Sequence, residues 1–112
     1  MPYQLSFSPV FKITLQRLCS FLNRKYSSKL ADNTLLSIRK HIKQRLPEDP
    51  CIGPVCDRLL ELGVSGYRQL TIDNHNIVIY RVDEEQQKII ILAAMDSRQS
   101  IEKLLHEVIL LM

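Results

Sequence analysis

Three arginines stand where the chain reads as strand or strand end: Arg68, Arg81 and Arg98. A guanidinium presents two parallel N–H donors, which match a phosphate or a carboxylate. The three could therefore form a cationic patch for phosphate or for acidic side chains. Each also has a structural reading, in which it pairs with an acid such as Asp83 or Asp96 and orients a strand end. Histidine is the other residue suited to chemistry near neutral pH. His75 falls in the turn Asp73-Asn-His-Asn76 and reads as exposed, and His41 lies on a basic helical face and reads as surface. His106 could serve as a general base, but the sequence shows no evident partner for it. Cys19, Cys51 and Cys56 are an odd number of thiols. Cys51 and Cys56 have a spacing across Pro54 that suits zinc poorly, and no histidine lies near them. They read as small buried hydrophobes, and neither metal nor cofactor is expected.

Charge is distributed unevenly. Residues 1–50 carry nine Lys/Arg against three acids, whereas residues 51–112 carry six bases against nine acids. A basic half beside an acidic half points to a partner of negative charge. Two ordinary solvated helix faces give the same pattern. Arg39, Lys40, Lys43 and Arg45 would form the outer face of a helix, and Arg39 and Lys43 are candidates for contact with an acidic partner. No aromatic residue interleaves with them to stack bases, so direct sequence-specific nucleic-acid binding is not expected.

The elements that must position these residues follow from periodicity. With 112 residues, 46% hydrophobic and 24% charged, the chain has the make-up of one small folded domain spanning residues 1–112. No apolar run is long enough to cross a bilayer. The opening residues lack a basic-then-apolar leader, and a cytoplasmic protein with no membrane association is expected. Tyr3, Leu5 and Phe7 alternate with Gln4 and Ser6, which predicts a short strand. Ser8-Pro9 is a helix start, and apolar residues from Val10 to Leu22 carry a helix over about 9–26. Ser27-Ser28 breaks it. A second helix over about 30–46 has the stripe Ala31, Leu35, Ile38, Ile42 and Leu46 and stops at Pro47. The two form an antiparallel hairpin.

Beyond the break Pro47–Pro54 the pattern changes. Val55–Leu62 fits either a turn of helix or an extended segment, and Gly63 and Gly66 mark a turn. Tyr67–Ile72, Ile77–Val82 and Lys88–Ala94 read as strands. The last is continuously apolar, as a central strand covered on both faces would be. Asp96 and Ser97 can cap a final helix carrying Ile101, Leu104, Leu105, Val108 and Ile109. The apolar tail Val108–Met112 reads as docked or as an interaction surface. The class is α+β: an N-terminal strand, a helix hairpin, a three-stranded antiparallel meander and a C-terminal helix, with the hairpin packed on one face of an antiparallel sheet.

Three segments in this order, Gly66-Tyr-Arg-Gln-Leu70, Ile77-Val-Ile-Tyr-Arg-Val82 and Ile90-Ile-Leu-Ala-Ala-Met-Asp-Ser-Arg98, resemble the RelE/ParE superfamily of bacterial type II toxins, as does Leu5–Pro9 before a long helix. The resemblance runs from about residue 3 to about residue 106, and its specificity lies in the ordered set of segments. It implies two activities on one fold. RelE-like members cut messenger RNA on the ribosome, and ParE-like members inhibit DNA gyrase without known nuclease chemistry. Both are held inactive by a cognate antitoxin.

RelE-like sites are similar to a cluster of Lys and Arg on the strands with a Tyr or His near the C-terminus. This chain departs from that pattern in three places. Leu70 stands where a second Lys would help, and Asn76 replaces the arginine that opens the second strand. No tyrosine follows Arg98, and His106 comes a turn or two late. These departures leave the ParE-like branch by elimination, with no catalytic residue and with Arg68, Arg81, Arg98, Arg39 and Lys43 as binding candidates. The alternative is a ribosome-dependent messenger-RNA endonuclease in which Arg68, Arg81 and Arg98 cradle the phosphate.

Overall fold

The computed structural model describes residues 3–73 and 75–111, the last four of these by backbone alone. A strand β1 (Gln4–Phe7) leads into helices α1 (Pro9–Lys25) and α2 (Ser28–Arg45). A short helix α3 (Asp57–Glu61) precedes strands β2 (Arg68–Thr71), β3 (Asn76–Asp83) and β4 (Lys88–Asp96), and helix α4 (Ile101–Leu111) follows. This is the expected α+β order with α3 added. The ambiguous stretch after Pro54 divides: Val55 forms a single bridge to Arg68, and Asp57–Glu61 coils.

Both long helices start on serine caps. The Ser8 hydroxyl accepts from the Phe11 amide and the Ser27 hydroxyl from the Leu30 amide, so each satisfies a donor that the first turn leaves free. The stripe of α2 is buried through Ala31, Thr34, Ile38, Ile42 and Leu46, with Leu35 half-buried at its edge. Asp96 and Ser97 do not cap α4. Ser100 does, accepting the Lys103 amide, because the Asp96 carboxylate is already committed to Arg98. Leu104 is buried and Ile101 and Leu105 are half-buried. The side chains of the Val108–Met112 tail lie outside the described residues.

The sheet order is β1-β4-β3-β2. The meander β2-β3-β4 is antiparallel as expected, but β1 lies parallel to β4, so the sheet is mixed. No tight turn joins β1 to β4. The helix hairpin and the meander intervene, and such a crossover permits parallel pairing. β4 is thus an inner strand, and both its faces are covered. On one face Ile89, Ile91 and Ala94 pack with Val78, Tyr80 and Leu70 against Leu15, Leu18, Leu22, Ile38 and Ile42 of the hairpin. On the other, Ala93 and Met95 pack with Ile77 and Ile79 against Leu59 of α3 and Leu104 of α4.

The β3–β4 register shifts once. Ile79 pairs with Ala93 but Tyr80 with Ile91, so Leu92 has no partner across the ladder. Such a bulge leaves backbone groups to be satisfied elsewhere, and α1 supplies the partners. The Ser8 hydroxyl donates to the Leu92 carbonyl at 3.1 Å, and the Thr14 hydroxyl accepts from the Ala94 amide at 3.1 Å.

Past α2 the chain is tied to the sheet through Tyr80. Its phenol donates to the Pro50 carbonyl at 2.8 Å and accepts from the Gly53 amide at 3.0 Å. A Cβ at position 53 would stand 2.5 Å from the Gln69 carbonyl oxygen, so only glycine fits this approach. Tyr80→Phe leaves both loop groups without this partner. Its expected cost is about 1–3 kcal/mol in urea unfolding, with the largest loss of hydrogen-exchange protection at Gly53.

Candidate functional site

The sheet sends the three candidate arginines to different places. Arg68 is opposite Tyr80 on the hairpin face, where its Nη1 donates to the Gly53 carbonyl at 2.8 Å. Its side chain thereby braces the loop against β2. Arg81 is opposite Ile90 on the other face and is exposed. Arg98 follows the last residue of β4. Because Asn76 is opposite Asp96 and Arg81 is opposite Ile90, Arg81 and Arg98 are roughly 15–20 Å apart along the ladder. The three do not converge on one phosphate-sized site.

The other candidates are also dispersed. Arg39 and Lys43 are exposed on α2, and neither enters an ion pair among the described residues. His41 is half-buried, with Nδ1 held 2.8 Å from the Ser37 carbonyl one turn back. His106 is exposed on α4. Cys56 is buried in the core under α3, Cys19 is half-buried and Cys51 is exposed.

One cluster does assemble, at the end of the β3–β4 ladder. Asp96 is 1% exposed and accepts from Arg98 three times: from its amide at 2.8 Å, from Nε at 2.7 Å and from Nη2 at 2.6 Å. The guanidinium also lies 4.9 Å from the centre of the Tyr26 ring, and its Nη1 donates to the Tyr26 phenol. Arg98 therefore ties the end of β4 to the α1–α2 connection. Burial pushes the Asp96 carboxyl up, but the Arg98 hydrogen bonds and charge outweigh it and hold the group below the usual carboxylate range.

Beside it, the β2–β3 turn is built on Asp73. Its Oδ1 accepts the amides of His75 and Asn76, an Asx turn that accounts for the local residue choice. Both carboxylate oxygens also accept from the Asn76 amide nitrogen, at 2.8 and 2.9 Å. Partial burial raises the Asp73 carboxyl, and these bonds, with the neighbouring His75, bring it below its ordinary value. A cavity of about 210 Å³ opens here, lined by Leu22, Leu30, Thr34, Asp73, His75, Asn76, Asp96 and Arg98. Sequence reasoning found Arg98 and, in its structural reading, the pairing with an acid such as Asp96 that holds a strand end, but it missed Tyr26, Asp73 and Asn76 as its surroundings. The only local signal was a carboxylate closing an apolar strand.

A second cavity, about 760 Å³, lies between α1 and α4. Ile13, Phe21 and Leu104 give it an apolar lining, and Arg17, Arg24 and Lys103 a basic one. Glu107 pairs with Arg17 at 2.9 Å across it.

The model of the family described as the ParE toxin of the type II toxin–antitoxin system parDE matches residues 5–101. The chain belongs to this family. None of the curated proteins matches it. Solved structures share the fold of this ParE-family toxin at low identity. The RelBE2 toxin–antitoxin complex of Mycobacterium tuberculosis aligns with a TM-score of 0.62 at 18% identity, covering 86% of this chain and 99% of the other. The chromosomal ParDE system of P. aeruginosa gives 0.64 at 18%, covering 84% and 95%. A mutant of the E. coli toxin RelE in the free state gives 0.54 at 16%, covering 100% and 99%. RelE-type and ParE-type structures are thus alike in fold to this toxin, and the choice between their activities rests on its own residues. Among the described residues, no helix is long and apolar enough to cross a membrane.

The Asp96–Arg98 pair sets a pH dependence. A carboxyl whose pKa is lowered by folding contributes stability that is full above its unfolded value, about 3.9, and is lost as the pH falls through the lower folded value. Asp96→Asn should therefore cost about 1–3 kcal/mol at pH 7 and show a shallower acid-unfolding limb below about pH 4. Thermal melts across pH 2–7 check this.

Proposed function

We propose that this chain is a single-domain, cytoplasmic ParE-like toxin that inhibits DNA gyrase by binding and is neutralised by a cognate antitoxin. The observation that carries this reading is the separation of Arg68, Arg81 and Arg98. Cleavage of RNA through its 2′-hydroxyl needs proton-moving groups and cations converging on one phosphate. Here one arginine braces a loop, one is solvated on the opposite face, and one is bound to a buried carboxylate. Binding needs no such convergence. Exposed cations on α2, among them Arg39 and Lys43, and the half-exposed Arg98 supply contacts for an acidic surface.

Family membership supports the antitoxin as partner, and two structural neighbours, RelBE2 and ParDE, are toxin–antitoxin pairs of their own. An antitoxin can engage such a fold by adding a strand or by laying an amphipathic helix in a groove. The cavity between α1 and α4, apolar inside with Arg24 and Lys103 among its lining residues, suits the second mode.

Titration of antitoxin-free protein into a gyrase supercoiling reaction tests the proposal. Inhibition near one toxin per gyrase, with cleaved plasmid accumulating, is the expected result. Arg98→Ala, Arg39→Ala and Lys43→Ala should each weaken inhibition gradually, by about three- to tenfold, as loss of one contact in an interface does. No inhibition at large excess of folded protein, with message cut on translating ribosomes and cutting abolished by Arg98→Ala, would replace this reading with the endonuclease.

A further inference from the structure

We propose that the outer face of α2 binds the phosphate backbone of duplex DNA without reading its sequence. The inference does not rest on gyrase being the target, since it concerns DNA alone. Nine of the fifteen Lys and Arg lie on α1 and α2, against a single acid, Asp32. The rest of the chain has six bases and eleven acids, so the helix layer and the remainder differ in sign. Lys29, Arg39, Lys40 and Lys43 stand three, four or seven residues from Leu36, which puts them on one side of α2, opposite the buried Ala31, Ile38 and Ile42. All four are exposed, and Leu36 at their centre is 66% exposed, so no part of the described chain covers this face. None of the four enters an ion pair among the described residues, which include every Asp and Glu. Like charges one helical turn apart, such as Arg39 and Lys43, destabilise a helix. An anionic partner relieves that repulsion.

Composition and shape narrow the partner. Lysine is depleted at protein–protein interfaces, where arginine and aromatic residues carry the energy. It is a common contact to phosphate. Three of these four cations are lysines, and α2 has no Phe, Tyr or Trp. Without a ring on which bases can stack, a single strand has little to hold, which leaves a duplex. None of the four lines either cavity, so the face is a ridge and not a recess. A helix about 10–12 Å across fits the B-DNA major groove, about 12 Å wide, and not the deep, narrow one of A-form RNA. Arg39 and Lys40 are about 100° apart around the axis and flank the ridge, and Lys29 to Lys43 spans roughly 21 Å along it. The cations thereby reach backbone on both sides of the groove.

Fluorescence anisotropy of two labelled DNA duplexes of unrelated sequence, titrated with the full antitoxin-free chain, tests this with no gyrase present. Both should bind alike. Four phosphate contacts predict a slope of log K against log[salt] of about −3.6, so affinity should fall about a hundredfold between about 50 and 200 mM NaCl. Lys29→Ala, Arg39→Ala, Lys40→Ala and Lys43→Ala should each weaken binding severalfold on both sequences and make the slope shallower by about 0.9. Alanine at exposed helical positions keeps the helix. Lys88→Ala removes the same charge from the start of β4 and should leave the slope unchanged. A salt-independent or absent response overturns the assignment. So does an equal effect of Lys88→Ala, which would mean attraction by net charge alone, or tighter binding to duplex RNA or to polyglutamate at equal ionic strength.

Discussion

The break in the β3–β4 ladder at Leu92 is the constraint on which the rest of the structure depends. Strand residues alternate between faces, and one extra residue reverses the alternation beyond it. Ile89 and Ile91 face the helix hairpin, and after Leu92 it is Ala94 that does so, while Ala93 and Met95 turn to α3 and α4. Asp96 then falls on the hairpin side, where Arg98 can reach both it and Tyr26. An unbroken ladder would place that carboxylate on the opposite face. The break holds because Ser8 and Thr14 of α1 take the backbone groups of Leu92 and Ala94. Ser8 has two roles, since the same hydroxyl also caps α1.

This arrangement decides what the most suggestive arginine can do. A guanidinium free on a surface can bind a phosphate. One bridged to a buried carboxylate and laid over a tyrosine ring is largely spent on holding its own chain together. The exposed side of Arg98 remains available for an acidic contact, and the carboxylates of Asp96 and Asp73 stay hydrogen-bonded within the cluster. Positive charge therefore sits on the helix faces and on the lining of the α1–α4 cavity, and at the end of the sheet the charge of Arg98 is balanced by the buried Asp96. Such a surface lacks the converging cations that phosphoryl chemistry requires.

Much of the fold was legible because it is set by local physics. Serine caps, Pro9 at a first helical turn and Pro47 after a last one bound the hairpin. The unbroken apolar run Ile89–Ala94 announced an inner strand, and Asp73 announced its turn. Two expectations failed for the same kind of reason. A local reading assigned Asp96 to a helix cap and made the whole sheet antiparallel. Asp96 is claimed by Arg98, and β1 enters beside β4 through a crossover.

The sequence by itself determined the element order, the two-sided core and membership of the toxin family, because periodicity, caps and ordered motifs act over short stretches of chain. Only the tertiary structure decided which candidates meet. Tyr26, Asn76 and Arg98 are distant in sequence and join one cluster. Arg68 and Arg81 come from adjacent strands and face opposite ways. The physical reason is that pairing register and a single unpaired residue set the direction of every side chain on a strand, and neither is written in the types of the residues concerned.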